Sequence, residues 1–275
     1  MQHTNQQTDG IALARLRPNW SRTMSAVTTV VTLSLIIATA IITRTLFLGA
    51  LGYNSDEAVY AGQGAAIAKI PVLSDLFPVF RAHPLLFQFL LAIEYKLFGM
   101  NDLTGRLTAA AIGVITVLLV FRIGDLLYGR RAGLYAALFM ALMPYHTIVS
   151  RQVLLDGPMT LFSTLALYTL VRFAQTERSE WLIATGAAMG LTFLSKETGI
   201  LMLGAVYAFL ALTPSIRTSL RAIAASTAVM LLMMAVFPLT VKLSGGGGDR
   251  TTGQYLIWQL FRRPNHEWSF YPTVV

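Results

Sequence analysis

Seven apolar runs, the last six of them separated by short turns, leave this chain few ways to fold in water. They occupy residues 24–50, 104–128, 132–149, 158–173, 181–195, 198–213 and 222–242. Crossing a hydrocarbon core of roughly 30 Å takes about 20 apolar residues as a helix. Backbone polar groups in lipid must also pair within their own segment, which helices achieve. Only 12% of the residues are charged and 55% are hydrophobic, with a mean hydropathy of +0.61. Soluble domains carry roughly 25% charged residues, so the polar surface is too sparse to face water on every side. The expected fold class is an all-α membrane protein with seven transmembrane helices.

Three parts are expected. Residues 1–23 are polar, with Arg15, Arg17 and Arg22, and read as a cytoplasmic tail. The run that follows is too long for the apolar region of a signal peptide, so it reads as a retained first span. Arg44, near its far end, is expected to snorkel to the interface. Residues 24–242 form the seven-helix module. Residues 243–275 begin at a Ser-Gly-Gly-Gly-Gly linker and read as an outer loop, after which a longer protein is expected to continue.

Two further helices are expected in the first outer loop. Residues 56–69 (DEAVYAGQGAAIAK) suit a helix lying on the membrane surface. Residues 84–98 are apolar but hold Gln88, Glu94 and Lys96. Fifteen residues reach only about 22 Å, so this piece is expected to be juxtamembrane or re-entrant, not a crossing. That assignment sets the side of everything after it.

The net charge of +8 is scattered between apolar runs, which fits loop ends better than a nucleic-acid surface. Bases favour inner loops. Arg130, Arg131, Arg172, Arg178, Arg217 and Arg221 obey that rule. Lys69, Arg81, Arg106, Lys242, Arg250, Arg262 and Arg263 fall outside under this topology, and holding an anionic phosphate would account for them. The absence of cysteine excludes disulfides, thiolate metal sites and thiol catalysis. Four histidines without an HExxH pair argue against a histidine-rich metal centre. No P-loop and no GxGxxG follows a strand, so a transferase here would draw on a membrane-borne donor such as a lipid phosphate.

Two acidic sites fall on one outer face: Asp56-Glu57 after the first span, and Asp156 before the fourth. Such carboxylates could take a proton from an attacking hydroxyl or amine while cations hold a phosphate leaving group. Each has a plainer reading. Asp56 could charge the first turn of its helix, and Asp156, before Gly157-Pro158, could be an N-cap. Lys196-Glu197 is either functional or a self-neutralising pair at an interface turn. His83 is either a phosphate ligand or a turn residue. Arg151 is either a ligand, an interface anchor or a partner for Asp156. Arg262, Arg263 and His266, among Trp258, Trp268, Phe270 and Tyr271, form either a phosphate-binding patch or an interfacial belt.

Taken in order, NSDEAVYAGQG, His83-Pro84-Leu85-Leu86, LFGMNDLTGRL, YGRRAGLYAALFMALMPYHTIVSRQVLLDGPMTLF and LSKETGIL resemble the GT-C membrane glycosyltransferases. The nearest likeness is to protein O-mannosyltransferase-like and lipid A aminoarabinose transferase-like enzymes, over residues 24–213 and, more loosely, RRPNHEWSFY. The resemblance implies a seven-helix module with two juxtamembrane helices in the first outer loop, and a polyprenyl-phosphate sugar donor. It implies Asp56 as general base, with Glu57 and Asp156 supporting the site. Donor-phosphate contacts are expected from His83, Arg151, Lys196, Arg262, Arg263 and His266. A divalent cation on Glu57 or Asp156 is left open. The expected location is the inner or plasma membrane, with the site extracytoplasmic and the acceptor a protein, lipid or glycan. The chief rival is a transporter or flippase of a lipid-linked or anionic solute. Such proteins place polar residues mid-membrane in repeated broken helices, and no repeat is evident here.

Overall fold

The computed structural model describes residues 26–76 and 83–243, and every regular element among them is helical. The first run forms α1 (Ala26–Thr45). The first loop holds α2 (Ser55–Ile67), a short α3 (Leu73–Leu76) and α4 (Leu86–Phe98). Then come α5 (Thr104–Tyr128), α6 (Arg130–Leu142), α7 (Pro144–Val149), α8 (Asp156–Thr176) and α9 (Ser179–Ser195). A 3₁₀ turn at Glu197–Ile200 leads into α10 (Leu201–Leu212), and α11 (Leu220–Leu243) closes the described chain. Among the described residues, three helices are long and apolar enough to cross a membrane: Ala26–Thr45, Thr104–Tyr128 and Leu220–Phe237. The described chain is thus all-helical with three candidate membrane spans. The tails at 1–23 and 244–275, with Arg262, Arg263 and His266, lie outside the described residues, as does Arg81.

The 84–98 segment forms a helix shorter than a full membrane crossing needs. With 13 residues, α4 is about 20 Å long. It buries Phe87, Gln88, Leu91, Ala92 and Tyr95 against α2 and α5 and exposes Phe89, Leu90, Ile93 and Leu97 on the other side.

The run at 132–149 is two helices, not one. Pro144 opens α7 and lacks the N–H that would have bonded the Met140 carbonyl. Arg44 supplies the missing donors. Its guanidinium reaches the carbonyls of Met140 at 3.3 Å and Ala141 at 3.1 Å, its own helix at Ala40, and Nδ1 of His146 at 2.7 Å. Guanidinium only donates, so Nδ1 accepts and Nε2 carries the His146 proton. This corrects the snorkelling expectation: Arg44 is wholly buried because broken-helix carbonyls need it more than the interface does.

Small residues set the closest crossings. α9 carries Gly186 and Gly190 four residues apart, and both face α11. A Cβ at Gly186 would overlap the Ser226 carbonyl oxygen, and one at Gly190 would lie 2.7 Å from Met233 Cβ. At the opposite end from the first loop, Gly129 (φ +91°) ends α5 and lets α6 start at the next residue. Beneath the first loop, Ala61, Ala65, Phe87, Leu91, Ile112, Val153 and Leu155 form one apolar cluster. It joins α2, α4 and α5 to the loop preceding α8, and so fixes the floor of the site.

Candidate active site

The sequence Asn54-Ser55-Asp56-Glu57 starts α2 with a capping box. The Asn54 side chain accepts the Asp56 and Glu57 N–H groups at 3.0 Å, and Glu57 Oε2 accepts the Asn54 N–H at 3.2 Å. The cap is thus Asn54, not Asp56. Consecutive helical residues point about 100° apart, and the two acids separate accordingly. Asp56 is exposed, and its carboxylate makes no hydrogen bond or ion pair to a described residue. Glu57 is 1% exposed.

Glu57 is saturated. Its Oε1 accepts from Arg106 Nε at 2.9 Å and from the Val153 N–H at 3.0 Å; its Oε2 accepts from Arg106 Nη2 at 2.9 Å. Arg106 spends its remaining N–H groups on the carbonyls of Leu48, Leu51 and Gly52, at 2.7–3.0 Å. Its guanidinium also lies over the Tyr53 ring at 4.8 Å. Burial, then the Asp102 charge, pushes the Tyr53 hydroxyl up to about 12 against the pull of Arg106, so the phenol stays neutral. Both expectations for these residues change. Glu57 has no lone pair left for a proton, acceptor or metal, and it anchors α2. Arg106 holds protein carbonyls and a carboxylate, not a phosphate.

Arg151 is corrected on the same ground. Its guanidinium donates to the carbonyls of Thr43 and Leu46 at 2.7 Å, closing the C-terminal end of α1. Those carbonyls have no helical partner beyond the end of the element. Arg106 and Arg151 together absorb the unpaired backbone of the 43–52 stretch.

The other candidates pair with one another. Lys196 Nζ donates to Asp156 Oδ1 at 2.9 Å, and His83 Nδ1 to Glu197 Oε2 at 2.8 Å. Lys196 has an extended backbone (φ −158°, ψ 132°), so it and Glu197 point apart instead of neutralising each other. The dipeptide thereby ties the start of α8 to the residue leading into α4. Burial pushes the Glu197 carboxyl up, but the His83 hydrogen bond and charge outweigh it and hold it below the usual range. Asp156 is the first residue of α8 and makes no cap hydrogen bond, so it is not an N-cap.

A cation fits poorly. Both Glu57 oxygens are engaged, Asp156 already faces an ammonium, and no group of three metal-ligating side chains gathers among the described residues. What converges is an open carboxylate (Asp56) on a helix locked to the loop that delivers Asp156. The Glu57–Val153 bond sits three residues ahead of Asp156. Residues 56, 83, 156 and 196 therefore collect at one end of the bundle. Sequence reasoning misses Arg44, Arg106 and His146 as residues that shape the site. Arg106 lies inside one of the quoted motifs, but nothing local marks the distant carboxylate it meets.

The family match, with the structural likenesses that follow, places the chain among the GT-C membrane glycosyltransferases. The chain belongs to the dolichyl-phosphate-mannose-protein mannosyltransferase family, whose model matches residues 82–241. The fold is similar to that of ArnT from Cupriavidus metallidurans bound to undecaprenyl phosphate (TM-score 0.69, 16% identity, 87% of this chain and 45% of that one). It is similar to the S. cerevisiae protein O-mannosyltransferase Pmt1–Pmt2 complex bound to its sugar donor (0.55, 19%, 81% and 34%). The Archaeoglobus fulgidus oligosaccharyltransferase in its apo form is also alike (0.62, 15%, 87% and 32%). The chain spans less than half the length of these structures. No curated protein sequence matches it. The family does not favour the transporter alternative.

Proposed function

We propose that this chain carries the catalytic end of an inverting glycosyltransferase that uses a polyprenyl-phosphate sugar. Asp56 takes the proton from an acceptor hydroxyl or amine. The acceptor atom bonds to the anomeric carbon as the carbon–oxygen bond to phosphate breaks, and the electron pair leaves with the polyprenyl phosphate. Lys196 faces the departing charge; Arg262, Arg263 and His266 are further candidates from the tail. Seven helical passes, a cytoplasmic N-terminus and a site on the outer face of the inner or plasma membrane complete the reading. No step runs through a metal.

The observation that carries this reading is the division of labour at 56–57. A buried, saturated Glu57 holds the helix start still, while its neighbour presents a free carboxylate to water. A base must reach the proton it removes, and fixing its helix keeps it in reach. The donor class is supported by the undecaprenyl phosphate bound to ArnT and by the sugar donor bound to Pmt1–Pmt2. The test is Asp56→Asn in the full-length enzyme with a polyprenyl-phosphate sugar. A loss of about 10²-fold or more in kcat is expected for a general base. Transfer at the wild-type rate would remove Asp56 from the role.

A further inference from the structure

Among the described residues, three side-chain ion pairs hold the first-loop end together, and they differ in exposure. Glu57–Arg106 is sealed, with side-chain exposures of 1% and 4%. His83–Glu197 is nearly closed, at 18% and 11%. Asp156–Lys196 is part-buried but the most exposed of the three, at 31% and 25%. Breaking a sealed pair leaves a buried charge without a partner. Breaking a more exposed one costs less, because solvent can replace part of the lost partner. Only the third pair is built to exchange.

Its hydrogen bonding agrees. Lys196 Nζ makes one hydrogen bond among the described residues and has two donors to spare. Asp156 Oδ2 makes none. Glu57 and Arg106, by contrast, have nothing left to offer. Lys196 would not be lost from the site if Asp156 let go. Its neighbour Glu197 stays pinned to His83, and the extended backbone at Lys196 keeps the two side chains on opposite sides.

We infer that Asp156 is the resident counter-ion of Lys196, and that a lipid phosphate binds by displacing it. This rests on the donor reading above and adds how the phosphate subsite is kept while empty. With the site empty, the carboxylate neutralises the ammonium. When the phosphate arrives, its oxygens take the Nζ donors and Asp156 swings out to water. Repulsion between the displaced carboxylate and the anion limits how tightly the spent lipid phosphate is held, and so favours its release.

The test measures binding of polyprenyl phosphate, and of the uncharged polyprenol, to the full-length enzyme in nanodiscs. Asp156→Asn removes the competing charge but keeps the shape. It should tighten polyprenyl phosphate roughly fivefold, equivalent to about 1 kcal/mol, and leave polyprenol unchanged. Lys196→Gln should weaken the phosphate, and the tightening should vanish in the double variant. Equal or weaker phosphate binding by a folded Asp156→Asn protein overturns the exchange. So does tightening that persists without Lys196. If Asp156→Asn does not fold, the same exchange must appear as tighter binding by Asp156→Ser. Should the wild-type enzyme bind polyprenol as well as polyprenyl phosphate, the donor reading fails and the exchange falls with it. If the phosphate is preferred but no variant tightens it, the exchange alone fails.

Discussion

Glu57 and Arg106 meet through two bonds of 2.9 Å, and neither side chain is more than 4% exposed. Removing one member strands the other charge in the interior, which typically costs about 3–5 kcal/mol. Glu57→Gln cannot form the fork, and Arg106→Lys cannot reach the carbonyls of Leu48, Leu51 and Gly52 as well. Both are expected to lower the midpoint of thermal unfolding in detergent. Both should also cut transfer more than tenfold, because misplacing a reacting group by about 1 Å can cost roughly 10²-fold. A lysine variant with wild-type stability and rate would show that the fork is dispensable.

The kink between α6 and α7 makes a coupled prediction. Arg44→Met removes the Arg44 donor from the Met140 carbonyl, at about 1–3 kcal/mol for a buried group, and leaves the Ala141 carbonyl only the Thr147 hydroxyl at 3.3 Å. Pro144→Ala restores an N–H that the Met140 carbonyl can take within a continuous helix. The double variant is therefore expected to be more stable than the sum of the two single losses implies. Strict additivity in unfolding free energies would mean that Arg44 does not compensate for the proline.

Much of the fold is legible in the sequence. The helices follow from apolar runs, and the start of α2 is marked by Asn54 with Glu57 three residues on. What is not legible depends on chain segments about 40 to 110 residues apart. In sequence, Asp56 and Glu57 look equivalent; only the helical rotation, and an arginine 49 residues away, tells them apart. Arg44 looks like a snorkelling end residue until carbonyls 96 and 97 residues later bury it. Arg151 reads as a phosphate ligand, an interface anchor or a partner for Asp156 until the end of α1 claims it. Lys196 and Glu197 look self-neutralising, and only the extended backbone sends them to different partners.

Acid should act on the His83–Glu197 pair. The folded Glu197 carboxyl is held below its ordinary 4.5, so this contribution is fully present above that value. It is lost as pH falls through the lower folded value. Wild-type protein is expected to lose more thermal stability than Glu197→Gln between pH 6 and the acid limit, because the variant has no such proton to take up. Parallel unfolding curves for the two proteins across that window would contradict it.

The α9–α11 crossing gives the sharpest steric test. At Gly186 an added methyl meets the Ser226 carbonyl oxygen, which is backbone and cannot rotate away. Ser226 is held further by its Oγ donating to the Leu182 carbonyl at 2.7 Å. Gly186→Ala must therefore push the helices apart, and overpacking of this kind costs about 1–3 kcal/mol. At Gly204 on α10, an added methyl would have nothing within 4 Å, so Gly204→Ala is expected to be neutral or to gain up to about 1 kcal/mol from helix propensity. Ser226→Ala removes only the hydroxyl part of the clash and should leave most of the Gly186→Ala loss in place. Because the same α9 ends next to Lys196, a displaced helix should also shift the ammonium that faces Asp156. Gly186→Ala is thus expected to weaken polyprenyl-phosphate binding as well as stability, whereas Gly204→Ala should change neither for the worse. Stability and binding both unchanged in Gly186→Ala would show that the crossing has room to spare.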